Sequence, residues 1–531
     1  MRTEQPINGA ATNWQPEADE IAQRRTLAEE LGGDEAVRKH HDQGRLTIRE
    51  RIAGLVDAGS FQEVGKLTGN ATYEDGKVAK IVPAPYVMGL AKIDGRAVAV
   101  GGEDFTVRGG SSWGSDRRKG GQGGFVEDLA FNYRIPLVNL IDGSGGTVTS
   151  AKRRGHTVFP GVHGFERSVE LLGYVPVVSA VMGTAAGGPA GRAILSHWSV
   201  MVKETSHVFA AGPPVVKRSL GQDVTKEQLG GSKVAVDLAG TIDNVVENEA
   251  TGLHLVRRFL SYMPQHVWEL PPRVTTGDPA DRADEDLLGI VPRDRRRPYN
   301  MYKLVEMLVD RDSLFDIAPT FGRSVITALA RMNGHVVGVI ANNPMVMGGG
   351  VDSKAARKQT HFMDLCDCFH IPMVFLVDVP GFMVGTQAEA EATLREGMRC
   401  VYACAQATVP IFTVVIRKCY GMAGMGTTAK NGLDFKIAWP SAEWGSLPVE
   451  GGVAAAYRRE IAKAPDPARR EREIEAELRT LASPFLTAEA FGVEEIIDPR
   501  DTRRYLCAFI DAVQGRLTTD LGPKPKIGVR P

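Results

Sequence analysis

The sequence predicts an α/β protein built from two homologous domains, each a mostly parallel sheet covered by helices. Three observations predict this: the chain repeats itself, the repeated segments read as buried strands, and helical stretches separate them. The repeat is clearest in IPLVNLID at 135–142 and IPMVFLVD at 371–378, 236 residues apart. VPVVSAVMG from 175 is answered by VPIFTVVIR from 409, a separation of 234. Upstream, GRAVAV at 95 answers GHVVGV at 334, and LVDAGSF at 55 answers LVDRDSL at 308. Four matches in the same order exceed chance. Their separation drifts most near the start, which places the length changes in loops. The duplication divides the chain into domains 1–285 and 286–531, joined near 280–300.

The two Pro-led pairs are short β-branched runs, and most lead into Gly-rich sequence, the mark of buried strands rather than amphipathic helices. FVEDLAFNYR and HFMDLCDCFH read as helices between them. Strand–helix–strand alternation gives βαβ units on a mostly parallel sheet. Ligands of such sheets gather beyond the carboxyl ends of the strands, where the glycines are. Residues 20–57 and EREIEAELRTLA read as charged helices, and GPKPKIGVRP as an extended tail.

Length and composition narrow the function classes. A chain of 531 residues exceeds what one core usually organises, so two domains of roughly 250 residues are expected. With 63 basic and 64 acidic residues the net charge is −1, which argues against a general nucleic-acid binder. No apolar run approaches the roughly 18 residues that span a bilayer, so no membrane association is expected. The first twenty residues carry acids and no apolar signal core. Six cysteines in so long a chain fit reduced thiols. The expected location is the cytoplasm, or the mitochondrial matrix in a eukaryote.

The informative corner of the first domain is MGTAAGGPAGRA, residues 182–193. A strand ends, Gly187 and Gly188 follow, and a helix is expected near Pro189, since Pro suits a first helical turn. Backbone N–H groups at such a corner can hold the oxyanion of a thioester enolate. A tight turn whose glycines serve only strand–helix packing satisfies the sequence equally well. The matching corner of the second domain is RKCYGMAGMGTTAKNG, residues 417–432. Two donor corners suggest a reaction with two carbonyl partners, unless one is a relic of duplication. The offset of 234 aligns Gly187 and Gly188 with Gly421 and Met422.

No metal is expected. His361, Cys366, Cys368 and His370 cluster in sequence, yet on a helix Cys366 and Cys368 point about 200° apart and cannot easily share an ion. The basic runs DRRK (116–119) and KRR (152–154) sit near the first corner and could meet the phosphates of a nucleotide-like handle. Solvated loop charge is their commoner role. RDRRR at 293–297 lies in the linker and is assigned no chemistry.

At this point the chain resembles a family. HHDQGRLTIRERIAGLVDAGSFQEV (40–64), EDFTVRGGS (103–111), VMGTAAGGPAG (181–191), FAAGPPVVK (209–217) and EQLGG (227–231) are similar to acyl-CoA carboxylase β subunits, such as those of propionyl-CoA and methylcrotonyl-CoA carboxylases. The likeness continues through IVPRDRRRPYNM (290–301), VDVPGFMVGT (377–386), ATVPIFTVVIRKCYG (407–421), AWPSAEWG (438–445) and SPFLTAEAFGVEEIIDPRDTR (483–503). It covers nearly the whole chain.

The resemblance implies two crotonase-like domains and a homo-oligomer, usually a hexamer, whose sites join the first domain of one subunit to the second of another. It implies that the N–H groups of Gly187 and Gly188 hold the acyl-CoA thioester oxygen. Those of Met422 and Ala423 would hold the ureido oxygen of biotin, a cofactor carried by a partner α subunit with biotin carboxylase and carrier parts. No side-chain base is then required. Gly145 and Gly146 belong to the substrate side, where SGGTVTSAKRRG (144–155) stands in place of the relatives' SGGARIQEG. YGMAGM (420–425) stands where many propionyl-CoA enzymes read YGGAYD, so Met425 replaces their acid near the acyl pocket and implies a different substrate class.

A biotin-dependent decarboxylase or transcarboxylase subunit shares these features. A hydratase or isomerase of the crotonase superfamily would need paired carboxylates near the first corner, and residues 182–193 contain no Asp or Glu. A non-catalytic acyl-CoA-binding scaffold is the third alternative.

Overall fold

The computed structural model describes residues 13–111, 124–146, 151–152, 155–157, 165–427 and 435–525. The chain forms two compact units. Unit 1 is Met1–Ser232 with Val245–Arg257, and unit 2 is Lys233–Asn244 with Arg258–Pro531. By packing, residues 258–285 belong with unit 2.

In unit 1 the charged N-terminal stretch forms helices α1 (Gln15–Glu29), α2 (Asp34–His41) and α3 (Ile48–Leu55). A capping box between Thr47 and Glu50 starts α3, and Ile48, Arg51, Ile52 and Leu55 form its buried face at helical spacing. The sheet strands are β1 (Gln62–Glu63), β2 (Tyr86–Ile93), β3 (Arg96–Glu103), β4 (Leu137–Gly143), β5 (Val177–Ala186), β6 (Trp198–Val202) and β7 (His207–Phe209). They lie in the order β1-β2-β3-β4-β5-β6, with β7 alongside β5. Strands β3 to β6 run parallel. Every residue of β4 and β5 is buried, which is why these runs lack polar alternation. Helix α4 (Phe125–Tyr133) precedes β4 and lays Val126, Leu129 and Ala130 against Met88, Ala99, Leu137 and Val177. Helix α5 (Gly188–Ile194) follows β5.

Unit 2 repeats the plan. Helix α6 (Met301–Leu308) leads into β8 (Phe315–Asp316), β9 (Val325–Met332) and β10 (His335–Asn342). Helix α7 (Ser353–Cys368), β11 (Met373–Val379), α8 (Thr393–Gln406), β12 (Ile411–Tyr420), α9 (Gly421–Met425), β13 (Phe435–Ala438) and β14 (Glu443–Gly445) follow. Helices α10 (Val449–Ala456) and α11 (Pro467–Leu481) precede β15 (Glu495–Ile496). The strand order is β8-β9-β10-β11-β12-β13-β15, with β14 alongside β12. The core joins Leu304 and Leu308 of α6 to Ile326, Val337, Val374 and Val414 of four strands.

The duplication holds at the level of single residues. The β4–β5 ladder slips between Ile141 and Gly143, and the β11–β12 ladder slips between Val377 and Val379. In the two LVD segments, the N–H of Asp57 donates to Lys92 O and that of Asp310 to Arg331 O, each at 2.8 Å. The sheets are less uniformly parallel than the βαβ reading implies, because β2–β3 and β9–β10 are antiparallel hairpins. Their turns, Asp94-Gly95 and Asn333-Gly334, have φ of 50° and 78° in both cases. Two positive φ values in a two-residue turn suit the right-handed twist of the flanking strands.

Cys366 and His370 are fully buried, and the His370 ring Nε2 lies 2.8 Å from Val267 O. Among the described residues, no three metal-ligating side chains converge. Among the same residues, no helix is long and apolar enough to cross a membrane.

Candidate active site

Strand β5 ends at Ala186, which pairs with Phe209 of β7. Gly187 then turns the chain with φ 60° and ψ −118°, a conformation that needs glycine. Helix α5 starts directly, with Pro189 in its first turn as expected. The first N–H groups of a helix lack intrahelical partners, and Pro189 contributes none, so Gly188 and Ala190 are the donors of this turn. The Gly187 N–H donates to Phe209 O across a long 3.4 Å. Gly187 is exposed and Gly188 half-buried, so both face solvent, with Gly188 the less committed donor.

Gly145 closes onto this corner. Its φ is 78°, and a Cβ there would stand 2.5 Å from Ala186 O. Ser111 Oγ donates to Gly145 O at 2.7 Å and fixes the approach. Gly146 faces open space, with nothing within 4 Å of an added Cβ. The structure therefore brings Gly145, Gly146, Gly187 and Gly188 to one corner. DRRK (116–119), Arg153 and Arg154 of KRR, and residues 147–150 of SGGTVTSAKRRG lie outside the described residues.

Buried ion pairs hold the corner. Arg192 on α5 pairs with Glu103 and donates through Nη1 to Asn139 Oδ1 at 3.2 Å. Burial opposes the Arg192 charge, but Glu103, together with Tyr86 and Glu127, more than offsets this and raises its pKa. Asp142, at the ladder slip, meets Arg45 and, at 3.0 Å, Arg51 Nη1. Arg51 also takes Glu249 through two 2.7 Å bonds and donates to Met182 O at 3.1 Å. Glu103 and Asp142 are fully buried and each is neutralised by a guanidinium, so neither serves as a free base. His207, beside Thr184 in the ladder, is neutral at pH 7: burial, then Lys226 and Arg45, lower its pKa to about 4.

In unit 2, β12 ends at Tyr420, which pairs with Gly445. Gly421 turns with φ 60° and α9 begins. Gly421 is half-buried, Met422 exposed and Ala423 buried. Met425 is 65% exposed and thus does not fill core space behind the turn. The helix is tied down by Gln359 Nε2 to Gly426 O at 3.0 Å and by Thr427 Oγ1 to Gly424 O at 2.6 Å. Asp378 accepts from Arg417 Nε at 3.0 Å and from the Lys418 N–H at 3.2 Å. No residue from Gly421 to Gly426 carries a titratable side chain.

Sequence reasoning passed over the ion pairs at these corners. Their signal was the repeated Asp closing IPLVNLID and IPMVFLVD: Asp142 and Asp378 both sit at ladder slips and both take arginine. Position 183 is Gly, where a Cβ would strike Arg45 and Asp142, while the matching position in unit 2 is Arg417 itself.

Residues 39–524 match the carboxyl transferase domain family. The chain is 36% identical to the carboxyltransferase subunit of propionyl-CoA carboxylase from Haloferax mediterranei, over 92% of this chain and 94% of that protein. It is 34% identical to the methylmalonyl-CoA carboxyltransferase 12S subunit of Propionibacterium freudenreichii subsp. shermanii, over 94% and 95% of the two. A crystal structure of transcarboxylase 12S, a hexamer with methylmalonyl-coenzyme A and methylmalonic acid bound, superimposes with a TM-score of 0.87 at 32% identity, covering 99% of this chain and all of that one. The two units are thus crotonase-like domains, and the chain belongs to the biotin-dependent acyl-CoA carboxyltransferase family, the β subunits of acyl-CoA carboxylases and their transcarboxylase relatives.

Proposed function

We propose that this chain is the carboxyltransferase subunit of an acyl-CoA carboxylase, with the thioester held at the unit 1 corner and biotin at the unit 2 corner. The observation that carries the reading is the pair of uncharged backbone-donor corners at matching places in the duplication, reaching solvent at Gly187 and at Met422. The N–H of Gly188, joined by that of Gly187 as it gives up its long 3.4 Å bond to Phe209 O, donates to the thioester oxygen and stabilises the charge that develops on it as the α-carbon gives up its proton. Gly145 and Gly146 line the acyl-CoA side. Met422 and Ala423 donate to the ureido oxygen of biotin, an acceptor that two neutral N–H groups fit. When bound, carboxybiotin supplies the carboxyl group and the basic centre. The protein's own part is to hold the reactants in position and to stabilise the oxyanion, and these two effects lower the barrier most at such a site. Met425, exposed at the turn, lines the acyl pocket and favours an aliphatic or larger acyl group.

Residues 1–285 serve the acyl-CoA and 286–531 serve biotin, which rides on a partner α subunit with biotin carboxylase activity. The chain assembles as a homo-hexamer in the cytoplasm, or in the mitochondrial matrix of a eukaryote. The likeness to transcarboxylase 12S supports a second reading, in which the carboxyl group is exchanged between carriers rather than supplied by an ATP-dependent partner.

A pull-down from native extract separates the readings. The carboxylase reading expects a biotinylated protein bearing ATP-dependent biotin carboxylase activity. A biotin carrier without that activity supports transcarboxylation, and the absence of any biotinylated partner contradicts both.

A further inference from the structure

The segment RDRRR (293–297) reaches the second donor corner at two points within unit 2. The Arg295 guanidinium pairs with Glu443 of β14, and the carbonyl of Arg297 accepts from Arg417 Nη1 at 2.9 Å. Both contacts lie directly behind the corner. Glu443 pairs with Lys418 in the β12–β14 ladder, and its carboxylate acts electrostatically on the phenol of Tyr420, which pairs with Gly445 in the same ladder and is the last residue before Gly421. Arg417 stacks over Tyr299 at 4.9 Å and binds Asp378, which also holds the Lys418 N–H. Two linked chains therefore run from the segment into the strand end that aims the amides of Met422 and Ala423.

We propose that Arg295 is a positioning residue for carboxyl transfer, acting through Glu443 and Tyr420 to fix the biotin-side donor corner; this rests on the reading of that corner given above. Arg295 is half-exposed while Glu443 is buried, so the arginine is the part of the chain that can be removed without opening the core. In unit 1 the residue matching Tyr420 is Ala186, which offers no such linkage, so the brace is particular to the second corner.

The charged and titratable groups facing Glu443 are Arg295, Lys418 and Tyr420, Glu450 of α10, and Arg479 of α11, which pairs with Glu450 at 2.7 Å. Burial raises the Glu443 pKa, and Arg295 is the largest influence that lowers it. Loss of Arg295 therefore lets Glu443 protonate at higher pH. A protonated Glu443 no longer acts by charge on Arg295 or on the Tyr420 side of the ladder, so the brace loosens.

The test uses the full chain, free biotin and a carboxylated CoA ester. Arg295→Met should lower kcat/KM for biotin about tenfold, less than the roughly 10²-fold that full misplacement of a reacting group costs. The KM for the CoA ester should stay unchanged, the acidic limb of the biotin-side profile should move to higher pH, and Arg295→Lys should recover most of both effects. A pH profile that superimposes on wild type, or equal changes in the constants for both substrates, overturns the proposal. Met422→Pro, which deletes one corner N–H in a helical turn that accepts proline, separates the two claims. If it leaves transfer intact, the corner reading fails. If it abolishes transfer while Arg295→Met is silent, the brace alone fails.

Discussion

Gly187 and Gly421, 234 residues apart, each turn the chain at φ 60° directly after the last paired residue of a long strand. They are the same position of a duplicated domain, and each opens a short helix. Gly188 therefore corresponds to Met422, and the resemblance pair Met422 and Ala423 lies one residue further along, within the same turn.

The first prediction concerns Gly188, the less committed donor of the unit 1 corner. Gly188→Val places a β-branched side chain where the thioester oxygen must approach the backbone. Turnover should fall by at least the ~10²-fold typical of losing one oxyanion donor, with folding largely preserved. Steady-state kinetics beside a thermal melt check this; near-normal turnover would make the corner a packing turn only.

Met425 gives the second. A panel of acyl-CoA esters assayed with wild type and Met425→Asp should show a changed ratio of kcat/KM between short and long esters. The change should be about 1–3 kcal/mol, the range that contacts in an apolar pocket command. A uniform loss across all esters would make Met425 structural. Its 65% exposure already sets it apart from a core filler.

The third concerns the ion pair between Arg192 and Glu103. Arg192→Met leaves Glu103 buried without a counter-charge and should cost about 3–5 kcal/mol, read as a lower denaturation midpoint. Arg192→Met with Glu103→Gln should recover part of that loss. A single variant as stable as wild type would show that the pair contributes nothing.

How far the sequence reached depends on which physics left a periodic trace. The parallel strands were legible because two-sided burial writes an unbroken apolar run, as in Val374 to Val377. The antiparallel hairpins went unread, although Asp94-Gly95 and Asn333-Gly334 carried a turn signal that needs only two residues. The corner glycines were found because a strand end, a glycine and a helix-starting Pro189 fall within a few positions. The ion pairs were not, because Arg51 meets Asp142 and Glu249 across 91 and 198 residues of chain. The repeated Asp142 and Asp378 marked one side of these pairs, but nothing local names the distant arginine that meets it.

The fourth prediction is pH dependence. Burial, then Arg45, lowers the His40 pKa to about 4, and burial with Lys226 does the same for His207. An unfolded histidine titrates at about 6.5. Both imidazoles are therefore neutral in the fold. Their contribution is complete above about pH 6.5 and is lost as pH falls toward 4. Urea midpoints should decline across that window, and His207→Asn should flatten the decline. An unchanged slope would exclude His207 as a contributor.

A fifth follows from placing biotin on a partner. A streptavidin blot of the pure chain should be blank, since the sequence lacks an Ala-Met-Lys-Met type of attachment site. A band at the mass of this chain would overturn it.

The most direct test of the account is carboxyl transfer by the pure chain between a carboxylated CoA ester and free biotin. The account predicts that decarboxylated CoA ester forms only when biotin is present, with a rate that saturates in both substrates and collapses in Gly188→Val. Product formation independent of biotin, or hydration of an unsaturated CoA ester in its place, would contradict it.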